Sequence, residues 1–366
     1  MKLTNKTILL ISPEAWGSNF VSKHHYATTL AVRGNRIFFL NPPGKRFGIK
    51  NIDKNLFVLD YRPSWRGLAR MPDWLSARII AKEIQKLEKF CGVYFDIIWN
   101  FDSSRFFNLQ RLAKKLRISH IVDLSEDKNP KLLCTTADLC LASTDFILER
   151  QKRYSANAFK LGHGVATVAN PKLVKLAGAN QRVKAGYLGN LLIRYLDWEL
   201  IHRLVTSHPH VDFYFAGPAK ASNLSNDTAL PEWLGKAQQQ PNTYFIGELT
   251  AAELPSFLQQ MDVLLLTYQA HKYKEQLANP HKLLEYLASG KVVVASWTDE
   301  YKDKRHLLEM VENNEHLPAK FKEVVANLAQ YNSPEKQQAR QAWALQNTYE
   351  KQIERIETII NNLNKV

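Results

Sequence analysis

Two successive trains of short apolar runs, each run of buried-strand length and followed by a helix pattern, cross this chain and exclude an all-helical or all-β fold. The first train opens with residues 7–12 (TILLIS) and a loop, PEAWGSNF. Ser22 is placed to cap a helix that reaches Arg33, Gly34 to end it, and residues 36–40 (RIFFL) to form the next strand. Residues 95–99 (FDIIW), 120–124 (HIVDL) and 137–142 (ADLCLA) read as further buried strands. The pattern then lapses between residues 162 and 181, where Gly162, Gly164, Pro171 and Gly178 punctuate a mixed stretch. A second train follows: strands at 182–188, 212–215, 242–246, 262–266 and 291–295, a helix at 196–207, and a last, charged helix from about residue 335 to 362.

The expected organisation is therefore an α/β chain of two Rossmann-like domains with mainly parallel sheets. The expected bounds are an N-terminal domain at 1–165, a linker at 166–181, a second domain at 182–334, and a C-terminal helix at 335–366 that packs back towards the first domain. At 366 residues and 45% hydrophobic, both domains can bury a core. No tract approaches the roughly eighteen apolar residues of a membrane span, and no signal peptide is read, so a cytoplasmic location is expected. Cys91, Cys134 and Cys140 have neither a metal spacing nor an even disulfide framework, and read as buried thiols. The formal charge of +14 favours anionic partners. Residues 45–89 carry eleven Lys and Arg against five Asp and Glu, a strong concentration of that excess.

The segment richest in chemistry is NPHKLLEYLASGKVVV, residues 279–294. Asn279 suits an N-cap, Pro280 the first helical position and Gly290 the residue past the end, with Leu283, Leu284 and Leu287 on the buried side. A helix start favours an anion, and Lys282 adds a full charge there. One turn on, Glu285 can accept hydrogen bonds from vicinal hydroxyls. A solvated Lys and Glu pair would look the same in isolation. The position of the pair, at a helix start following the strand DVLLLTY, favours a nucleoside-diphosphate site.

The run NPHKLLEYLASGKVVVAS resembles the donor-binding segment of GT-B glycosyltransferases, in particular family-4-like and teichuronic-acid-type bacterial enzymes. SKHHYATTLAVRGNRIFFLNPP, GYLGN, RYLDWELI, FYFAGP and TYFIGELTAAELPSFLQQMDVLLLTY follow that pattern in order. The resemblance implies two domains facing a central cleft and transfer from a UDP- or GDP-sugar to a lipid-linked or glycan acceptor in envelope or exopolysaccharide synthesis. By it, Lys282 holds the diphosphate and Glu285 the ribose, with Asn279, His281 and Leu283 in the same turn. It likewise implies a base pocket near Gly247, a close-approach loop at Gly189 and Asn190, a second cation in Arg194, and Gly17 facing the donor. The sequence departs from the family pattern at Leu277, where many relatives are acidic, at Val292 in place of proline, and at Phe101, where a histidine is common.

Departure of a nucleoside diphosphate needs fixed cations or a metal. With no Asp-x-Asp motif and no clustered His or Cys, the expectation is a metal-independent reaction and no cofactor. Asp102, after a strand end, is the first candidate for a base, although it can equally cap a turn; His25, then His24 and Asp123, come next. Arg62, Trp65, Arg66, Arg70, Trp74 and Arg78 interleave cations with aromatics, as an interfacial segment on anionic lipid does, which implies peripheral membrane contact. No nucleic-acid-reading module is present. A sugar-nucleotide epimerase of the same fold and a non-catalytic nucleotide-sugar or membrane-binding protein are the alternatives.

Overall fold

A computed structural model describes residues 1–17, 20–65, 67–124, 129–168, 170–178, 181–219 and 231–363. The chain forms two compact units, Met1–Gly164 with Tyr349–Val366, and Val165–Thr348.

In the first unit the order is β1 (Thr7–Ile11), α1 (Ser22–Val32), β2 (Arg36–Leu40), β3 (Gly48–Asp53), β4 (Leu56–Asp60), α2 (Asp73–Cys91), β5 (Ile97–Asn100), β6 (Leu116–Ile121), α3 (Pro130–Thr136), β7 (Leu139–Ala142), α4 (Asp145–Lys152) and β8 (Ala158–Lys160). Its eight-stranded sheet runs β3-β4-β2-β1-β5-β6-β7-β8, parallel except for the β3–β4 hairpin at one edge. Alternate residues of β1 feed two cores: Ile8 and Leu10 pack on the α1 side, Leu9 and Ile11 on the α2 side.

The second unit contains β9 (Val183–Leu188), α5 (Trp198–Ser207), β10 (Val211–Ala216), α6 (Glu232–Gln238), β11 (Thr243–Gly247), α7 (Leu254–Gln259), β12 (Val263–Leu266), α8 (Lys282–Ser289), β13 (Val292–Ser296), β14 (Glu309–Val311), α9 (Leu317–Ala326), α10 (Leu328–Tyr331) and α11 (Pro334–Leu345). Its sheet order is β11-β10-β9-β12-β13-β14, with every pair parallel. The final helix, α12 (Tyr349–Leu363), belongs to the first unit, where Arg33, which caps the end of α1, pairs with Glu350 and Glu357.

Several boundaries differ from expectation. The charged C-terminal helix is two helices, α11 and α12, one in each unit. Residues expected as a linker are fastened to the second unit: Lys172 N–H donates to the Ala252 carbonyl, and the Ala177 carbonyl accepts from the Tyr214 hydroxyl. The strand expected at 120–124 lies at Leu116–Ile121, because Ser119 and His120 are buried within it and interrupt its apolar pattern. Ser22 is the first residue of α1 rather than its cap; Val21 holds that position and its N–H donates to His24 Nδ1 at 3.2 Å.

Candidate active site

Three parallel strands of the second unit close on glycines with positive φ: Gly189 (151°) just after β9, Gly217 (136°) just after β10, and Gly247 (81°) at the end of β11. Their backbones are stitched together at the carboxyl edge of the sheet. Gly189 N–H donates to the Ala216 carbonyl at 2.8 Å, and Gly217 N–H to the Gly247 carbonyl at 2.7 Å. A Cβ on Gly217 would lie 2.1 Å from the Gly189 carbonyl oxygen, a backbone atom, so this contact requires glycine.

Onto this edge comes the start of α8. Leu283, Leu284, Tyr286 and Leu287 are buried, which fixes the helix against the sheet. The Tyr286 hydroxyl accepts a 2.8 Å hydrogen bond from Leu188 N–H, at the point where β9 leaves its ladder with β12. That bond ties α8 to the residue before Gly189. As a result Lys282 lies across Gly189: a Cβ there would be 2.1 Å from Lys282 Cε and 3.0 Å from its Nζ. Tyr187, whose hydroxyl would also be 2.9 Å from that Cβ, underlies the same spot.

The helix start differs in detail from expectation. Its cap is His281, not Asn279, and the preceding turn is tight, with Leu283 N–H donating to the Pro280 carbonyl and Leu284 N–H to that of His281. Gly290 ends the helix in the left-handed conformation, as its position in the sequence implies. Leu283 is core. Glu285, half-buried, has its carboxyl pushed up to about 6 by burial, while the charge of Lys282 pulls the other way. A partly desolvated carboxylate beside a cation is matched to hydroxyl donors and a nearby anion.

The other expected donor residues are more scattered. Asn190 turns its Oδ1 onto Leu192 N–H at 2.9 Å, closing the loop after Gly189. Arg194 is exposed, donates to the Tyr195 hydroxyl at 3.0 Å, and lies over the Tyr195 and Tyr273 rings. It lines a cavity of about 1220 Å³ together with Asp197, Arg203, Lys272 and Trp297, whose walls include neither Lys282 nor Glu285. Gly247 has open space above its Cα, and Gly17 is an exposed bend in the first unit. Leu277 is buried, so its position presents no polar group.

In the first unit Asp102 serves a turn: its Oδ1 accepts from Ser104 N–H at 2.8 Å and from the Ser104 hydroxyl at 2.5 Å. His25 stacks on Tyr349 at 4.8 Å, and burial, reinforced by His24, lowers it to about 4. His24 is buried against Phe39 and bonded to Val21 N–H and the Ala15 carbonyl. Asp123 is exposed in a turn. Phe101 is packed against both Trp99 and His120. Of the basic patch, Arg62, Arg70 and Arg78 are exposed, as are Trp65 (56%) and Trp74 (61%); Arg66 lies outside the described residues. No described helix is long and apolar enough to cross a membrane.

Two features were not singled out from the sequence. Gly217 carries only the weak signal of a glycine after an apolar strand. The buried tyrosine group of Tyr187, Tyr268 and Tyr286 reads in sequence as ordinary core.

Residues 186–330 match the family described as Glycosyl transferases group 1. No curated protein matches the sequence significantly. Among solved structures, a sucrose-phosphate synthase from Thermosynechococcus elongatus is 13% identical with a TM-score of 0.73, covering 98% of this chain and 99% of its own. The trehalose 6-phosphate synthase of Burkholderia multivorans is 12% identical with a TM-score of 0.66, covering 99% of each chain. Anabaena HepE, solved in complex with UDP and glucose, is 13% identical with a TM-score of 0.65, covering 97% of this chain and 99% of its own. Residues 186–330 are thus similar to a group 1 glycosyltransferase domain, and the chain has the GT-B fold of two Rossmann-like units.

Proposed function

We propose that this glycosyltransferase moves a sugar from a nucleoside-diphosphate sugar to an acceptor hydroxyl, with the diphosphate held by Lys282 and the ribose by Glu285. The observation that carries the reading is the seating of Lys282 across Gly189 at the start of α8, one turn before Glu285. The complex of the HepE structure with UDP and glucose favours UDP as the nucleotide. In the transfer the bond between the sugar carbon and the donor phosphate oxygen breaks, the acceptor oxygen bonds to that carbon, and the hydroxyl proton leaves with the phosphate or to a base. Charge then accumulates on the leaving diphosphate. Lys282 and the helix dipole stabilise it there without a metal ion.

Teichuronic-type chemistry on a lipid-linked or glycan acceptor, in polysaccharide synthesis at the inner face of a bacterial membrane, extends the same reading. Its support is the sequence resemblance and the exposed Trp65, Trp74, Arg70 and Arg78. Incubation with UDP- and GDP-sugars, with and without acceptor and with excess chelator, tests the proposal. Acceptor-dependent release of free nucleoside diphosphate that survives the chelator is expected. Formation of an epimeric sugar nucleotide, or no turnover of any donor, would overturn transfer; loss restored by magnesium or manganese would overturn metal independence.

A further inference from the structure

We propose that a basic cavity in the first unit, walled by Lys45, Arg62, Trp65 and Arg105, binds a phosphate dianion. The further assignment of that phosphate to the acceptor rests on the glycosyl-transfer reading; the binding itself does not.

The cavity has a volume of about 820 Å³ and is formed by the loops that follow β2 and β4, joined by Arg105. Gly44 N–H donates to the Tyr61 carbonyl at 2.8 Å, and Asn41 Nδ2 to Asp60 Oδ1 at 2.8 Å, so the two loops are tied side by side at the carboxyl ends of parallel strands. Open α/β sheets bind ligands at that edge.

Arg105 is fixed in place. Its Nη2 lies 3.6 Å from Oε2 of Glu83, a buried carboxylate of α2, and donates to the Trp65 carbonyl at 3.3 Å, with the guanidinium 5.9 Å from the centre of the Tyr61 ring. Glu83 in turn accepts Ser64 N–H at 2.6 Å through Oε1, so one carboxylate sets both the guanidinium and the loop. Glu83 offsets one of the three cations. Among the described residues, Lys45 and Arg62 are exposed and have no carboxylate partner, and no Asp or Glu lines the cavity. The surplus is two positive charges around a space far larger than one phosphate. A guanidinium in fixed orientation with two adjustable cations suits phosphate oxygens, while Trp65, Pro43 and Pro63 offer apolar wall to whatever the phosphate is attached to. A free sugar phosphate and a lipid phosphate share this chemistry.

The test is calorimetric titration of the full chain with glucose 6-phosphate and with glucose, and co-sedimentation with phosphatidylcholine vesicles with and without phosphatidate. Both are run on wild type and on the Lys45→Gln/Arg62→Gln double variant, with UDP titrated in parallel. Glucose 6-phosphate binding that weakens at least about tenfold in the variant, with glucose inert, supports a soluble phosphorylated ligand. Phosphatidate-dependent sedimentation lost in the variant, with glucose 6-phosphate inert, supports a lipid phosphate. The proposal is overturned if neither probe binds, if glucose binds as well as its phosphate, or if the variant binds like wild type. Absence of UDP binding in wild type would instead count against the donor site in the second unit.

Discussion

Lys282 rests on Gly189 so closely that a β-carbon there would displace it, and the hydrogen bond from Leu188 N–H to the Tyr286 hydroxyl fixes that approach. The cation's position is thus set by a residue 93 places earlier in the chain, not by its own helix alone.

Gly189→Ala should therefore act as a displacement of Lys282. At φ 151° an added methyl is strained, and it would stand 2.1 Å from Lys282 Cε, which must swing away. UDP affinity in Gly189→Ala should approach that of Lys282→Ala, each losing about 1.5–3 kcal/mol of a charge-assisted contact. Titration of both variants and of the double variant checks this. Additive losses in the double variant would mean that the two residues act separately.

Glu285 gives a pH signature. Burial raises its carboxyl from 4.5 to about 6, so the folded chain holds a proton there that the unfolded chain has released. Stability is then greatest below about pH 4.5 from this group and falls as pH rises to about 6, by about 2 kcal/mol as an upper figure. Glu285→Gln should flatten that part of the denaturation profile. Ribose hydroxyls donate to the ionised form, so the advantage of wild type over Glu285→Gln in UDP binding should grow as pH rises through 6. A constant ratio between the two proteins would remove Glu285 from the ribose site.

Much of the second unit was legible because its strands are short, largely apolar runs, one closing on Gly189 and another the unbroken VLLL of residues 263–266, and because Lys282 and Glu285 follow such a run at a helix start. The cap was misplaced because a tight turn after Pro280 mimics a helical first turn in sequence. Other features depend on partners distant in the chain. Gly217 matters only because Gly189 lies against it, and the β3–β4 hairpin pairs an exposed, polar strand whose pattern carries little signal. The split between α11 and α12 falls at Gln346, Asn347 and Thr348, a short polar break between two charged helix-forming runs.

Arg340 shows the same limit, since it sits in the segment read as one charged helix and is 1% exposed. It donates to the carbonyls of Leu307 at 3.1 Å, Gly290 at 3.0 Å and Tyr331 at 2.8 Å, which clamps the end of α8 to α11. Arg340→Met should destabilise the second unit by about 3 kcal/mol or more, because three buried carbonyls lose a charged donor. Arg340→Lys should rescue only part, lacking the fork that reaches all three. Urea denaturation read by tryptophan fluorescence measures both; a loss under about 1 kcal/mol in Arg340→Met would show that water replaces the guanidinium.

His25 separates a packing role from a catalytic one. Its ring, stacked on Tyr349, is lowered to about 4 by burial, below the usual 6.5, so its neutral form stabilises the fold above about pH 6.5 and that contribution is lost as pH falls towards 4. The effect is about 3 kcal/mol as an upper figure for this half-buried ring. His25→Phe keeps the stack and removes the titration, so it should lessen acid destabilisation while sugar transfer at pH 7.5 stays within about twofold. Loss of transfer in a folded His25→Phe protein would make the imidazole a base after all.

The exposed stripe of α2 bears on where the enzyme works. Trp74, Arg78, Lys82, Lys86 and Lys89 recur at helical spacing on its solvent side, with Arg70 just before it, and Trp74 is 61% exposed. The neighbouring Phe47 and Phe90, also exposed, pack together at 5.6 Å. Such a surface fits an anionic bilayer, where each cation contributes about 1 kcal/mol and rings insert at the headgroup level. Arg70→Glu/Arg78→Glu/Lys82→Glu should lower partition into phosphatidylserine vesicles by about a hundredfold at low salt, with UDP binding unchanged because Lys282 and Glu285 belong to the second unit. High salt should weaken wild-type sedimentation as screening shortens to a few ångströms. Trp74→Ala should lower partition further without altering that salt dependence, since the ring contributes burial rather than charge. Wild-type protein left in the supernatant at low salt, or a triple variant that still sediments, would make the stripe solvated surface and the acceptor a soluble one.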